Sequence, residues 1–329
     1  MFIGNVEVKG LARLAPMAGI SNAPYRIVAR ECGSALTTSE EIDAVGLTRE
    51  NKKTRYDIAK YLPEEKPIAL QILGATLESL VPGAQWLQDQ GADIVDLNMG
   101  CPVRKITKTG RGAAMMKDVK KTAEILAAMR KVLTVPLTIK IRSGWDDTHL
   151  NAVEVAKMAE DVGVDAITVH PRTRSQQFTG LSAWDVIARV VDAVNIPVTG
   201  NGDVKSMSDA REMQAATGCE SVMIGRAAMG SPWIFDESFE DLSAEGKYEY
   251  QTRVINRHMP LIEEHFPERA GLLQMQRHLS WYAGGRKRVR SFRVELFATR
   301  TFLEAREVFD RYWESVKPGA TERAEVPAV

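Results

Sequence analysis

The chain has 329 residues, enough for a large domain and a smaller one, and its 43 basic residues balance 43 acidic ones, so only a local cluster of positive charge could bind a polyanion. Its three cysteines form no Cys-x-x-Cys pair and its five histidines have no metal-ligand spacing, which argues against a disulfide scaffold or a zinc site and predicts no metal. The first residues do not form a signal peptide and no run reaches ~18 apolar residues, so we expect a cytoplasmic protein without a membrane span.

Short β-rich segments alternate with segments of helical periodicity along the first two thirds of the chain. The β-rich segments lie at residues 11–19, 35–41, 67–74, 93–100, 137–144, 166–173, 197–203 and 221–227. They are almost continuously apolar, which indicates strands buried on both faces of a parallel sheet. Residues 118–133 and 151–163 between them show the spacing of amphipathic helices. Eight successive units favour an α/β fold, the (β/α)8 TIM barrel.

The turn after the first strand distinguishes this fold from a doubly wound open sheet. It is APMAGISNAP and lacks the G-x-G-x-x-G pattern of a nucleotide-binding turn. Beyond Trp233 the β pattern stops, and apolar residues recur at helical spacing through residues 248–266, 272–283, 290–300 and 301–316. We therefore predict a barrel domain at residues 1–242 and a small helical bundle domain at residues 243–329.

Polar residues stand where five of the apolar strands end. They are Gln71, Asn98, Lys140, His170 and Asn201. The C-terminal ends of barrel strands carry the active site, and a buried ammonium such as that of Lys140 requires an anion or an electron-rich ligand. These residues together predict the wall of a ligand site.

Glycine-rich segments end the seventh and eighth strands, GNGD at 200–203 and IGRAAMG at 224–230. These two loops are the usual phosphate site of a barrel, where glycines expose backbone N–H groups and Arg226 could add a charged hydrogen bond. A phosphate site combined with an amide, a lysine and a histidine suits FMN, with Lys140 near the N1–C2 edge of the flavin ring.

The motifs of the chain resemble a known family. APMAGISNAPYR, LQILG, DLNMGCPVRKITKTGRGAAMM, LTIKIRSGW, ITVHPRT, TGNGDV and IGRAAMGSPWIF together resemble the tRNA-dihydrouridine synthases, in particular the bacterial B-type branch. The resemblance implies that Cys101 is the catalytic acid, that NADPH reduces a bound FMN, and that the flavin reduces a uridine in tRNA. It implies that FMN is held by the backbone at Pro16, Met17 and Ala18, by Gln71, Lys140 and His170, and at its phosphate by Asn201, Gly202, Asp203, Gly225 and Arg226.

The proposed reaction explains a cysteine at a strand end. Saturation of the uracil C5=C6 bond requires a hydride at C6 and a proton at C5, and the proton must come from a positioned acid. A thiol is mostly protonated near neutral pH yet gives up its proton readily, so Cys101 suits this role. We interpret Cys32 and Cys219 as small buried apolar side chains.

Two basic segments could bind RNA. Arg104, Lys105, Lys108 and Arg111 directly follow Cys101, and residues 277–293 hold six basic residues, no acidic residue and three interleaved aromatic rings. The alternatives are a solvated loop in the first case, and aromatic rings buried in the bundle core in the second. The candidate tRNA contacts are Asn98, Arg104, Lys105, Lys108, Arg111, Arg172, Arg277, Arg286, Lys287, Arg288, Arg290 and Arg293.

Two other functions remain open from the residues alone. An FMN-dependent reductase or dehydrogenase of small pyrimidines would explain the strand ends, but would leave the basic loop and the helical domain without a role. A non-catalytic RNA-binding protein would leave Cys101 and the phosphate loops without one. We expect a monomer that acts on tRNA without an obligate protein partner.

Overall fold

A computed structural model of the chain describes residues 1–319, so residues 320–329 of the predicted bundle domain lie outside the described part. Eight parallel strands form the barrel. They are β1 (Ala12–Leu14), β2 (Thr37–Thr38), β3 (Ile68–Leu73), β4 (Ile94–Met99), β5 (Leu137–Arg142), β6 (Ala166–His170), β7 (Val198–Asn201) and β8 (Ser221–Ile224).

Pairing runs in sequence from β2 through β3 to β8, and β8 then pairs with β1. Backbone hydrogen bonds from Ala35 N to Ala12 O and from Leu14 N to Leu36 O join β1 to the start of β2. The sheet therefore closes, and the predicted barrel is confirmed.

Helices follow the strands and bury their apolar faces against them. In the first part of the chain they are α1 (Ala23–Glu31), α2 (Ala44–Thr48), α3 (Leu77–Asp89), α4 (Arg104–Thr107), α5 (Val119–Val132), α6 (Ala152–Asp161), α7 (Asp185–Val191) and α8 (Met207–Thr217). Their starts follow from capping side chains: Asn22 accepts a hydrogen bond from Tyr25 N, and Asp118 accepts one from Lys121 N. Such caps satisfy backbone donors that a helix leaves unpaired.

The first two strands are shorter than the sequence predicts. β1 stops at Leu14 because Pro16 has no N–H and the chain then turns, with Ile20 N and Ser21 N both bonded to Met17 O. β2 is interrupted, and residues Ile42–Asp43 resume the pairing with β3. The interruption places the polar residues 39–41 at the C-terminal end of the barrel.

The chain divides into two compact units, and the second begins at Ala228. The second unit contains α9 (Ala244–His265), α10 (Glu268–Tyr282), α11 (Val289–Ala298) and α12 (Phe302–Ser315). Aromatic rings form much of its core: Phe292 stacks on Tyr312 with 4.1 Å between ring centroids. Within residues 1–319, none of the helices has the length and apolar character needed to cross a membrane.

Candidate active site

The five polar strand-end residues lie on β3 to β7, and hydrogen bonds connect four of them in pairs. Asn98 Nδ2 donates to Gln71 Oε1 at 2.8 Å, and Lys140 Nζ donates to Asn201 Oδ1 at 3.0 Å. His170 ends β6 and is buried. Burial lowers the pKa of Lys140 to about 8, and burial together with the neighbouring Lys140 lowers the pKa of His170 well below its ordinary value. The site therefore presents a lysine that is charged at neutral pH beside an uncharged histidine.

A second polar layer lies deeper in the barrel, and sequence reasoning missed it. Asp96 is two residues before Asn98 on the same face of β4, and it accepts hydrogen bonds from Gln71 Nε2 at 2.7 Å and from Thr138 Oγ1 at 2.6 Å. Burial raises its pKa. Arg13 lies in the same interior and favours the charged carboxylate of Asp96. This layer fixes the orientation of the Gln71 amide, and the polar residues inside the apolar runs of β1 and β4 are the signal that could have revealed it.

Cys101 lies in a loop whose shape is set by Asn98. The Asn98 Oδ1 atom accepts hydrogen bonds from Gly100 N at 3.1 Å and from Cys101 N at 2.9 Å. Gly112 supports the loop from the other side: its φ is 61°, and an added Cβ would lie 2.7 Å from Cys101 O. Asn98, which the sequence predicts to contact tRNA, is buried, and its side chain supports the loop that carries Cys101.

The thiol of Cys101 is partly buried, whereas Cys32 and Cys219 are fully buried as the sequence indicates. Burial and the nearby charge of Glu41 raise the pKa of Cys101 to about 11. The side chain is therefore protonated throughout the physiological range, which is the form that a proton donor requires.

Arg142, at the end of β5, is a further site residue that sequence reasoning missed. Its guanidinium donates to Gly100 O at 2.7 Å and to Thr173 O and Gln177 O at 2.9 Å, which ties the Cys101 loop to the loop after β6. Its charge also lies over the ring of Phe178, with 5.6 Å between the guanidinium carbon and the ring centroid. The sequence contained a signal for this residue, because Arg142 is a charged residue at the end of an apolar strand, two positions after Lys140.

The loops after β7 and β8 have the geometry of an anion cradle. Gly202 has a φ of 121°, and an added Cβ would lie 2.3 Å from Ser182 Oγ and 2.9 Å from His170 Cδ2, so only glycine fits. An added Cβ at Gly225 would meet nothing closer than Ala15 Cβ at 3.6 Å, so its backbone can be approached closely. The exposed guanidinium of Arg226 lies beside these glycines, within 3.5 Å of Asp203. Backbone N–H groups with an arginine suit a phosphate.

Asp203 and Arg172 form a structural pair within this region. Arg172 Nη2 donates to Asp203 Oδ2 at 2.6 Å, and Ser182 N donates to the same oxygen at 2.8 Å. The Arg172 side chain is only 2% exposed. Arg172, predicted to contact tRNA, is therefore enclosed in the loop that it supports, and the Asp203 carboxylate faces it.

The loop at Pro16, Met17 and Ala18 forms a compact turn. Met17 N donates to Ser21 Oγ at 2.8 Å, and Pro16 has no N–H to donate. Of the three backbone positions that the resemblance implies, Ala18 is therefore the one whose N–H is suited to a ligand.

Three basic side chains of the loop after Cys101 are exposed, those of Arg104, Lys105 and Lys108. Arg111 differs from them: its Nη1 lies 2.6 Å from Asp43 Oδ2, and its side chain is 19% exposed. Three of the four predicted cations of this loop are thus placed to meet a polyanion.

The basic segment of the second unit has a similar division. Arg277, Lys287, Arg288 and Arg290 are exposed. Arg286 lies over the ring of Trp313, 4.2 Å from its centroid, and Arg293 donates to Ser280 Oγ at 2.9 Å. The interleaved rings of Tyr282 and Phe292 are buried and that of Trp281 is half-buried, which agrees with the alternative that these rings belong to the core.

Comparison with known families shows to which family the chain belongs. A family described as dihydrouridine synthase (Dus) matches residues 13–316. The chain belongs to the dihydrouridine synthase family. The family resemblance seen in the motifs is thereby confirmed, and membership makes the chain a flavin-dependent oxidoreductase.

Individual relatives cover nearly the whole length of this family member. A tRNA-dihydrouridine synthase B of Xanthomonas axonopodis pv. citri (strain 306) is 33% identical over 98% of this chain and 100% of its own. A tRNA-dihydrouridine synthase B of Pseudomonas aeruginosa is 36% identical over 89% of this chain and 90% of its own. A probable tRNA-dihydrouridine synthase of Rickettsia conorii is 32% identical over 95% of this chain and 96% of its own.

A solved structure shares the fold. It is a 2-naphthoyl-CoA reductase in complex with 2-naphthoyl-CoA, with a TM-score of 0.58 at 14% identity, over 75% of this chain and 52% of that one. The chain thus spans about half of that structure's length.

Proposed function

We propose that the chain reduces the C5=C6 bond of a uridine in the D-loop of tRNA, with bound FMN and with NADPH as the reductant. The observation that carries the proposal is the joint position of a protonated thiol and a charged lysine at one end of the barrel: Asn98 holds the Cys101 loop and also bonds Gln71, beside Lys140 on the next strand. Relatives that match nearly all of the chain are tRNA-dihydrouridine synthases.

The residues present fit FMN. Buried Gln71 and His170 and half-buried Lys140 can face the flavin ring, and the backbone of Ala18 can add a contact at its edge. The cradle of Asn201, Gly202, Asp203, Gly225 and Arg226 can hold the phosphate, with Asp203 contributing its backbone because its carboxylate is bound to Arg172. When bound and reduced, the flavin supplies a hydride for C6 of the base.

Cys101 supplies the proton in this proposal. Its Sγ–H proton goes to C5 of uracil, and the thiol is available in the protonated form because burial and Glu41 raise its pKa to about 11. The ammonium of Lys140, fixed by Asn201, stabilises negative charge that develops on a ligand beside it.

The tRNA must bring a base out of its stack to reach the barrel, which costs a few kcal/mol and is cheapest in an unpaired loop. Exposed Arg104, Lys105 and Lys108 stand beside Cys101 and can bind phosphates there. The exposed cations of the second unit, Arg277, Lys287, Arg288 and Arg290, supply a further phosphate-binding surface.

A Cys101→Ala variant tests the assignment of the proton donor. We expect it to retain its flavin and to be reduced by NADPH, but to form little dihydrouridine in tRNA. Cys32→Ala is the matched control, because it removes a buried thiol far along the chain from the site and should keep full turnover. Full turnover by Cys101→Ala would contradict the role of Cys101.

A further inference from the structure

A second ionisable side chain lies at the proposed proton donor. Glu41 follows the interrupted strand β2, and Asn98 Nδ2 approaches its Oε2 at 3.4 Å. The same asparagine fixes the Cys101 backbone through its Oδ1 atom at 2.9 Å. Asn98 therefore holds the Glu41 carboxyl group and the cysteine loop in one arrangement, close enough for the charge of Glu41 to act on the Cys101 thiol.

The charges around this pair are held in place by other contacts. Glu41 faces Arg111, Glu40 and Asp43, and Arg111 is itself ion-paired with Asp43 at 2.6 Å. The positive charge of Arg111 therefore favours the ionised form of Glu41, while the Arg111 side chain stays paired with Asp43.

On the other side, Cys101 faces Arg142 and Lys140. Arg142 is bonded to Gly100 O, and Lys140 is bonded to Asn201 Oδ1. Glu41 is thus the acidic neighbour of Cys101, among basic groups whose positions are fixed.

We propose that Glu41 is a positioning residue for the proton donor, and that its carboxylate accepts the hydrogen bond of the Cys101 thiol and keeps this side chain protonated between turnovers. This inference rests on the proposed function, in which the thiol is the acid. A carboxylate beside a thiol disfavours the thiolate, because two negative charges would then lie together in a partly buried site. Arg142 and Lys140 alone would act in the opposite direction.

The same arrangement would restore the acid after each reaction. When the Sγ–H proton passes to C5 and a hydride is added at C6, the product is dihydrouridine and the sulfur is left as a thiolate. Repulsion between this thiolate and the Glu41 carboxylate favours uptake of a proton from solvent at Sγ. The thiol is then ready for the next substrate, and the thiolate, which is the form open to alkylation and oxidation, stays rare.

The test measures the ionisation of Cys101 itself. The flavin-loaded protein is treated with brief pulses of iodoacetamide between pH 6 and pH 12, and alkylation of the Cys101 peptide is followed by mass spectrometry in wild type and Glu41→Gln. We expect Glu41→Gln to lower the pH midpoint of alkylation by about one unit, which is roughly tenfold faster alkylation at pH 8. Glu50→Gln removes an exposed carboxylate that pairs with Arg55 and should leave the midpoint unchanged.

An unchanged midpoint in Glu41→Gln with wild-type flavin content would overturn the inference. If Glu41→Gln does not fold, Glu41→Asp replaces it, with a carboxylate withdrawn by one methylene; we expect a midpoint below that of wild type, and a wild-type midpoint would overturn the inference. The alkylation midpoint is independent of turnover. Full activity of Cys101→Ala would therefore remove the proposed acid, while the midpoint would still report whether Glu41 controls the thiol.

Discussion

The Lys140 ammonium lies 3.0 Å from Asn201 Oδ1, across the end of the intervening strand β6. The asparagine cannot turn away, because its Nδ2 donates to Met223 O at 2.7 Å on β8. Three strands thus determine where one positive charge stands. Burial lowers the pKa of this lysine to about 8, so its charge is retained at neutral pH and lost in moderately alkaline solution.

Replacing Lys140 by methionine should slow reduction of the flavin by NADPH. The variant keeps the length of the side chain but lacks the charge that stabilises the anionic reduced ring, and we expect the rate in anaerobic stopped-flow experiments to fall by about tenfold or more. In wild type the rate should also decline as pH rises through about 8, because the lysine loses its proton there. The variant should lack this decline.

Lys157→Met is the matched control, since Lys157 is an exposed residue of α6. Equal reduction rates in Lys140→Met and in this control would show that the ammonium does not act on the flavin.

Removal of Arg172 should destabilise the barrel. Arg172→Met leaves the exposed Arg226 as the charged neighbour of Asp203 and breaks a pair whose arginine is 2% exposed, which costs about 3 kcal/mol. We expect the melting temperature to fall by about 6–12 °C in differential scanning calorimetry. Arg189→Met breaks a solvent-exposed pair with Asp185 and should shift it by little. Similar small shifts in both variants would contradict the buried role of Arg172.

The exposed cations of the second unit should contribute to RNA affinity through phosphate contacts. Replacing Arg277, Lys287, Arg288 and Arg290 by glutamine should weaken tRNA binding and flatten its salt dependence, because each lost contact reduces the slope of log K against log salt by about 0.7–0.9. Filter binding at several salt concentrations measures both. Lys120→Gln with Lys121→Gln, on exposed positions of α5, is the control. An unchanged slope in the fourfold variant would place RNA binding elsewhere.

The second unit should lose stability in mild acid. Burial lowers the pKa of His278 to about 3 and that of His258 well below its ordinary value. In the unfolded chain both histidines bind a proton near pH 6.5. The stability that their neutral forms give the folded unit is therefore fully present above that pH, and it is lost as the pH falls toward their pKa values in the folded state. The loss approaches about 1.4 kcal/mol per pH unit for each histidine.

Hydrogen exchange of α9 and α10 between pH 7 and pH 5, corrected for intrinsic rates, measures this effect. His278→Gln should show a shallower pH dependence of protection than wild type. An identical dependence in the two proteins would exclude His278 as a source of the acid sensitivity.

The sequence predicts the barrel well because its signals are local. Most strands lie in apolar runs that follow a glycine or a proline, and candidate site residues such as Lys140 and Asn201 stand where these runs end. The sequence alone predicts that these residues lie close together, because in a closed parallel barrel the C-terminal ends of all strands lie at one face.

Contacts between distant segments could not be predicted in the same way. Glu41 and Cys101 are sixty residues apart, and nothing in the order of the chain says that Asn98 joins them. Arg172 illustrates the same limit: its charge predicts an RNA contact, whereas its burial depends on how the loops after β6 and β7 pack. Burial of a polar side chain depends on the packed structure, and a sequence indicates it only inside helices and strands, where the apolar residues recur at a regular spacing.

An anaerobic experiment can show whether tRNA is the substrate that oxidises the reduced flavin. The flavin of the purified protein is reduced with one equivalent of NADPH, unmodified tRNA is added, and reoxidation is followed by absorbance. We expect rapid reoxidation by tRNA, with dihydrouridine in the recovered RNA and little reoxidation by free uracil. A flavin that stays reduced with tRNA but is reoxidised by free uracil would contradict it and would favour a reductase of small pyrimidines.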